Sequence, residues 1–175
     1  VELTCHDWHD CEDVPWHQGH ILEGAAANGF WTLEVGEPGT YEIELRRWPA
    51  ESDAPIDGVP AEFTEMDYGS PGGQWTAEAR AIDVNVARIR IGGVERAKPV
   101  PDGATSVTFR VDLDAGDARL RTWFESETGV GHEGEEGDES DESDESDEAD
   151  TVHGSDESET RGAYFASIDR LADRT

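Results

Sequence analysis

The chain has 175 residues, of which 42 are Asp or Glu and 13 are Lys or Arg, and its formal net charge is -29 at pH 7. This length suits a single domain with a buried core. The charge excludes nucleic acid and anionic membranes as direct partners, because both are negatively charged. The sequence has no run of about 18 apolar residues, so no membrane span is predicted.

The basic residues favour a protein from a salt-adapted organism. Lys98 is the only lysine, and the other twelve basic residues are arginines. Carboxylates at this density repel one another at low ionic strength, whereas molar salt shortens the screening length to about 3 Å and removes that penalty. The composition therefore predicts a halophilic protein.

The beginning of the chain leaves localisation unknown. The chain opens at Val1 in a strand-like segment without a methionine, and it lacks the basic and apolar regions of a signal peptide. We therefore expect a fragment, a processed chain or an excised domain.

Apolar side chains recur at every second position along much of the chain, which is the period of a half-buried strand. The first two predicted strands, residues 31–35 and 41–45, are joined by turn residues and indicate a hairpin. The segment from Pro49 to Ala79 is predicted to be a long irregular loop with one short helix or strand. Further strands are predicted near residues 87–91, 107–113, 120–124 and 163–168.

Residues 132–160 are predicted to be a disordered acidic loop inserted before the last strand. They contain 15 Asp or Glu residues and no Lys or Arg, with three consecutive Ser-Asp-Glu triplets from Ser140 to Glu148. Ala149 and Val152 are the only aliphatic residues there, so no apolar burial offsets the entropy of ordering the segment. We interpret it as a solvated spacer, with loose binding of cations or of a basic partner as alternatives.

No helical period of ten or more residues is present, so the sequence predicts an all-β fold. Regularly spaced short strands favour a β-sandwich that forms a single domain over residues 1–175.

Several stretches carry residue combinations that a strand pattern does not require. The most specific is Leu45-Arg-Arg-Trp-Pro49; the others are Leu3-Thr-Cys-His-Asp-Trp-His9, Pro15-Trp-His-Gln18, Asn28-Gly-Phe-Trp31, Ala87-Arg-Ile-Arg-Ile-Gly92, Val100-Pro-Asp-Gly-Ala-Thr105 and Arg121-Thr-Trp-Phe124. Together they resemble the C-terminal domain of bacterial and archaeal arylsulfatases, in the sulfatase family. The layout is also similar to the galactose-binding-like jelly rolls of carbohydrate-binding modules, through Gly39-Thr-Tyr41, Leu113 to Leu120 and Ile168-Asp169.

The resemblance implies that this chain alone is not an enzyme. Sulfatases of this type need a C/S-x-P-x-R motif and a calcium ion held by carboxylates. Cys5 is followed by His-Asp-Trp-His and Cys11 by Glu-Asp-Val-Pro, so neither cysteine fits the motif. The resemblance therefore places the nucleophile and the calcium in a catalytic domain outside this chain, and it implies no cofactor and no catalytic residue here.

Six soft or borderline metal ligands lie within 16 residues, namely Cys5, His6, His9, Cys11, His17 and His20. Their spacing matches no standard zinc pattern, and His6 and His9 would face opposite sides of a strand. A metal site, a Cys5–Cys11 disulfide, and separate packing or surface roles all remain open. We assign no metal ligands.

The candidate binding or interdomain residues are Trp8, Trp16, Arg46, Arg47 and Trp48. Arginines pair bidentately with sulfate, and indoles stack on sugar rings or anchor protein interfaces. The alternative is that the tryptophans belong to the core or to an interdomain contact, and that the arginines pair with local carboxylates.

The sequence therefore predicts an accessory domain that packs on a sulfatase catalytic domain or helps recognise sulfated carbohydrate. The competing prediction is an autonomous carbohydrate-binding module. An independent enzyme is disfavoured, because the spacing suggests neither a Ser-His-Asp set nor a pair of catalytic carboxylates.

Overall fold

The computed structural model describes residues 1–61, 65–70, 73–126 and 160–172. Those residues contain eleven β-strands and one five-residue helix, α1 (Gln18–Leu22). The strands are β1 (Glu2–Thr4), β2 (Phe30–Val35), β3 (Gly39–Arg46), β4 (Glu65–Ser70), β5 (Gly73–Glu78), β6 (Val86–Ile91), β7 (Val94–Pro99), β8 (Val107–Leu113), β9 (Gly116–Glu125), β10 (Arg161–Gly162) and β11 (Phe165–Arg170). The predicted β class is confirmed.

Nine of the strands form two antiparallel sheets. The first sheet has the order β1-β11-β3-β8. In the second sheet β7, β6 and β9 are neighbours in that order, and β2 and β10 both pair with the other side of β9. Strands β4 and β5 form a separate two-stranded sheet. The two larger sheets pack face to face, as the predicted β-sandwich requires.

The core lies between the two sheets and is built from alternate residues of each strand. The side chains of Ile43, Leu45, Ala87, Ile89, Ile91 and Leu120 are completely buried. Alternation places the intervening side chains on the outer faces of the sheets. These outer faces, together with the loops at the ends of the strands, are where a ligand can bind.

The predicted hairpin between the first two core strands is wrong. Strand β2 pairs with β9 in the second sheet, whereas β3 pairs with β8 and β11 in the first. Residues 36–38 therefore carry the chain from one sheet to the other. The alternating patterns of β2 and β3 show that each strand buries one face. Both sheets bury a face against the same core, so the pattern does not identify the strand with which each of them pairs.

The segment from Pro49 to Ala79 also differs from the prediction of one short element, because it contains both β4 and β5 and a 3-10 turn at Ala50–Ser52. Strand β7 has no counterpart among the predicted strands. In β7, Val94 is half-buried and the residues from Glu95 to Pro99 are exposed. The sequence of β7 therefore lacks the alternation of apolar and polar residues by which the other strands were predicted.

The predicted acidic loop at residues 132–160 lies outside the described residues, except for Thr160. Strand β9 ends at Glu125 and β10 begins at Arg161, and the two strands pair with Phe124 opposite Arg161. In the described part of the chain, no helix is long and apolar enough to cross a membrane.

Candidate functional site

Trp8, one of the five predicted site residues, lies inside the protein. Its side chain is 6% exposed and makes an edge contact with Trp31, with ring centroids 5.6 Å apart. A Cβ atom added at Gly29 or Gly162 would overlap the Trp8 side chain, so both glycines allow the backbone to pack against the indole. Trp8 therefore belongs to the core and is not available to stack on a ligand.

Trp48 and Arg47 are also buried, with exposed fractions of 3% and 0%. The Trp48 Nε1 atom donates a hydrogen bond to the Pro55 carbonyl at 2.9 Å, and the Arg47 guanidinium lies over the Trp48 ring at 4.3 Å from its centroid. The two residues form one internal cation–π pair.

The Arg47 guanidinium holds three loops together through backbone carbonyls. It donates to the carbonyls of Ile21 and Leu22 at the end of α1, to those of Ile56 and Gly58, and to that of Arg80, at distances of 2.7 to 3.4 Å. Burial lowers the pKa of Arg47 to about 10, which leaves the side chain charged at neutral pH. Its role is structural.

Trp16 is the exposed member of the predicted set, at 75%. Its backbone is tied to two histidines: the Trp16 amide donates to His20 Nδ1 at 3.2 Å, and the Trp16 carbonyl lies 3.0 Å from His6 Nε2. The rings of His17 and His20 lie 4.0 Å apart, and burial, followed by the charge of His20, lowers the pKa of His17.

Cys5 and Cys11 are both free thiols in the structure. Burial raises the pKa of Cys5 to about 11 and also raises that of Cys11, so neither thiol is activated as a nucleophile. Within the described ranges, no group of three or more His, Cys, Asp or Glu side chains is arranged to hold a metal ion.

Arg46 points in the opposite direction from Arg47, because successive side chains of a strand alternate between its two faces. It lies on the outer face of the first sheet, where it forms an ion pair with Glu44, and its side chain is 21% exposed. Thus Arg46 and Trp16 reach the surface, while Trp8, Arg47 and Trp48 do not, and the five residues do not form one patch.

Arg46 lines a cavity of about 530 Å³ on that outer face. We call this cavity the Phe165 groove, after the half-buried aromatic residue in its lining. The sheet register places Phe165 between Thr4 and Arg46, and the neighbouring row places Ser167 between Glu2 and Glu44. Leu3, Ala166 and residues 49–51 complete the lining.

The Phe165 groove combines an aromatic ring with hydroxyl, carboxylate and guanidinium groups in an open cavity. Its volume is in the usual range for ligand sites, about 300 to 1,000 Å³. The sequence prediction included Arg46 but missed Phe165, Ser167 and Thr4. Their alternation along β1 and β11 was visible, but nothing in the sequence indicated that these two strands pair beside β3.

The comparisons with known proteins assign no family to this chain. No protein-family model matches the sequence, and no curated protein matches it. Among solved structures, the chain is similar to the CBM35 from Cellvibrio japonicus Abf62, at 11% identity and a TM-score of 0.37, covering 87% of this chain and 70% of that chain. It is also similar to a ruminal GH26 endo-beta-1,4-mannanase at 9% identity and a TM-score of 0.43, covering 99% of this chain and 26% of that chain. Both scores are below 0.5, so a functional argument has to come from the residues of this chain.

Proposed function

We propose that this protein is a non-catalytic carbohydrate-binding module that binds a saccharide in the Phe165 groove. The observation that carries the proposal is the row Thr4–Phe165–Arg46 across three adjacent strands. An aromatic ring flanked by a hydroxyl and a guanidinium matches a sugar, which offers an apolar C–H face and a rim of hydroxyl groups.

The polar groups of the groove suit hydroxyl recognition. The Arg46–Glu44 ion pair fixes both side chains, so less side-chain entropy is lost when a hydroxyl group binds to them. Glu44 accepts and Arg46 donates hydrogen bonds, while Ser167 and Thr4 do both. A saccharide hydroxyl can therefore find a donor or an acceptor along the groove.

The predicted accessory role beside a sulfatase catalytic domain, with calcium in that domain, stays a prediction. The buried positions of Trp8 and Trp48 remove two of the residues on which an interdomain contact was expected to depend. No contact, distance or charge in the described residues favours that role over saccharide binding.

The test is isothermal titration of the folded domain, in molar salt, with a panel of neutral and acidic oligosaccharides. We expect saturable binding that Phe165→Ala weakens about tenfold, because loss of ring stacking removes about 1.4 kcal/mol. Ser167→Ala tests the hydroxyl beside the ring and should give a smaller loss.

The matched control is Arg110→Ala. Like Arg46, Arg110 lies on the outer face of the first sheet and pairs with a carboxylate, that of Glu42 at 2.9 Å, but it lies outside the groove. Binding that Arg110→Ala weakens as much as Arg46→Ala would point to a general charge effect and contradict the assigned site. No heat with any saccharide would reject the proposed function.

A further inference from the structure

The outer face of the second sheet carries a cluster of arginines that the proposed function does not use. The members are Arg88 and Arg90 on β6 and Arg119 and Arg121 on β9, with the half-buried rings of Phe30 and Trp123 between them. We call these six residues the arginine face. It gathers four of the 13 basic residues of a chain whose net charge is -29.

The strand register brings two of these positive charges directly opposite each other, since Arg90 pairs across the sheet with Arg121. Opposed like charges on neighbouring strands destabilise a sheet by up to about 1 kcal/mol. Many other residues would be tolerated at such surface positions. A destabilising pair that is present there nevertheless is typical of a functional surface.

The aromatic rings orient the guanidiniums. The Arg119 guanidinium lies 4.8 Å from the centroid of the Phe30 ring and that of Arg121 lies 5.9 Å from it, while Arg90 lies 5.8 Å from the Trp123 ring. Cation–π contacts hold a guanidinium in place and leave its N–H groups free to donate.

Two of the arginines keep capacity for an external anion. Arg119 is exposed and forms no ion pair with any carboxylate in the described part of the chain. Arg121 has one distant partner, Asp10, at 3.6 Å. In contrast, Arg90 is engaged by Glu95 at 2.6 Å and Arg88 by the buried Glu125. The pair Arg119 and Arg121 is therefore the centre of the face.

Carboxylates border this centre and restrict what can bind. Glu34 and Asp117 pair across β2 and β9 at one end of the face, and Asp10 lies beside Arg121. Carboxylates accept hydrogen bonds from hydroxyl groups but repel phosphates. A polymer with an anion at every phosphate, such as nucleic acid, meets repulsion at this border, whereas a polymer with hydroxyls and widely spaced anions does not.

We infer that the arginine face is a second binding surface, for an acidic polysaccharide that carries sulfate or carboxylate groups. Arg119 and Arg121 hold the anionic groups, the rings of Phe30 and Trp123 keep the guanidiniums in position, and the bordering carboxylates accept hydrogen bonds from sugar hydroxyls. The surface lies on the opposite side of the sandwich from the Phe165 groove, so it is independent of the proposed function.

The net negative charge of the protein does not prevent this binding. Repulsion between exposed charges is screened beyond about 8 Å at physiological ionic strength, whereas a guanidinium and an anion in contact are closer than that. The net charge slows association, and the local contacts determine the affinity.

The experiment uses three polymers with the same backbone: dextran, carboxymethyl-dextran and dextran sulfate, the last two lightly substituted so that hydroxyl groups separate the anions. Binding to the whole chain is measured by titration at about 0.15 M salt and again in molar salt. We expect binding to one or both acidic polymers and no binding to dextran at this face. The affinity should fall as the salt concentration rises, because binding releases counterions from the polymer. The two acidic polymers distinguish carboxylate from sulfate recognition.

The decisive variant is Arg119→Gln with Arg121→Gln, which should weaken binding of the acidic polymer about tenfold, since each exposed ion pair contributes up to about 1 kcal/mol. The control, Arg96→Gln with Arg110→Gln, removes the same charge elsewhere and should change the affinity less than about threefold. Circular dichroism verifies that both variants are folded.

Equal losses in the two double variants would overturn the inference, because the effect would then be that of net charge alone. Binding of duplex DNA as tight as that of dextran sulfate would overturn the choice of a polysaccharide. Phe165→Ala separates the two sites, since it should weaken groove binding and leave binding of the acidic polymer to the arginine face unchanged.

Discussion

Arg46 and Arg47 are neighbours in the sequence, but their side chains lie in different environments and have different roles. The side chains of Tyr41, Ile43 and Leu45 point toward the core, and the same alternation continued by two residues directs Arg47 inward and Arg46 outward. Arg47 points inward and donates hydrogen bonds to three loops, so we call it the clamp. Arg46 points outward and lines the Phe165 groove. Two identical neighbours therefore have unrelated roles.

The clamp leads to a prediction at the residue scale. Arg47→Ala should lower the free energy of unfolding by about 3–5 kcal/mol, because it removes the donors to five backbone carbonyls, three of them in buried hydrogen bonds, and leaves a cavity beside Trp48. Chemical denaturation in molar salt, followed by tryptophan fluorescence, measures the change.

Two further variants test whether the loss of stability is specific to the guanidinium of Arg47. Arg47→Lys keeps the charge but offers a single point of donation in place of a planar fork, so it should recover only part of the loss. Arg46→Ala, on the exposed face, should cost about 0.5 kcal/mol or less. A similar cost for Arg46→Ala and Arg47→Ala would contradict the clamp.

At the scale of elements, β7 and β8 are edge strands of the two sheets. Cross-strand pairing with Ile89 and Ala87 places Arg96 and Lys98 on the core side of β7, although both are exposed. Lys98 Nζ lies 5.4 Å from the Phe109 ring and donates to the Thr108 carbonyl at 2.5 Å. Inward-pointing charges at an edge strand protect it from pairing with another chain.

We expect Arg96→Val with Lys98→Val to leave the fold intact and to increase self-association through this edge. Light scattering coupled to size-exclusion chromatography measures the oligomeric state. Glu44→Val is the control, because it adds valine in place of a charge on the interior strand β3. If the double variant remains as monodisperse as the Glu44→Val variant, the charges on β7 have no protective role.

At the scale of the whole molecule, the excess of 42 acidic over 13 basic residues sets the response to salt. Some basic residues already pair with carboxylates, as in Arg90–Glu95 and Arg110–Glu42. Because acidic residues outnumber basic ones, most carboxylates have no basic residue to pair with. Their mutual repulsion acts over the screening length, which falls from about 10 Å at 0.1 M salt to about 3 Å at 1 M.

We therefore expect Tm to rise by about 10 °C between about 0.1 M and 3 M NaCl, which corresponds to about 3 kcal/mol for a chain of this size. Differential scanning calorimetry measures it. Sucrose in place of salt is the control, since it favours the compact state without screening charge. A rise as large in sucrose as in salt would show that charge repulsion is not the cause.

The sequence by itself determined the β class, most of the core strands and the acidic character of the surface. These properties depend on the period of apolar residues and on composition, both of which are local in the chain. For the same reason Ile43, Leu45, Ile89 and Ile91 were identified within strands that bury one face, and all four are completely buried.

The tertiary structure alone decided which strands are partners and therefore which side chains share a surface. It separated β2 from β3, joined β1 and β11 to β3 to form the Phe165 groove, and placed β6 beside β9 to form the arginine face. Alternation fixes the face to which a side chain belongs, but a site also requires neighbours from other strands. Those neighbours depend on pairing between residues that are more than 100 positions apart, as Phe165 and Arg46 are, and no local pattern encodes that choice.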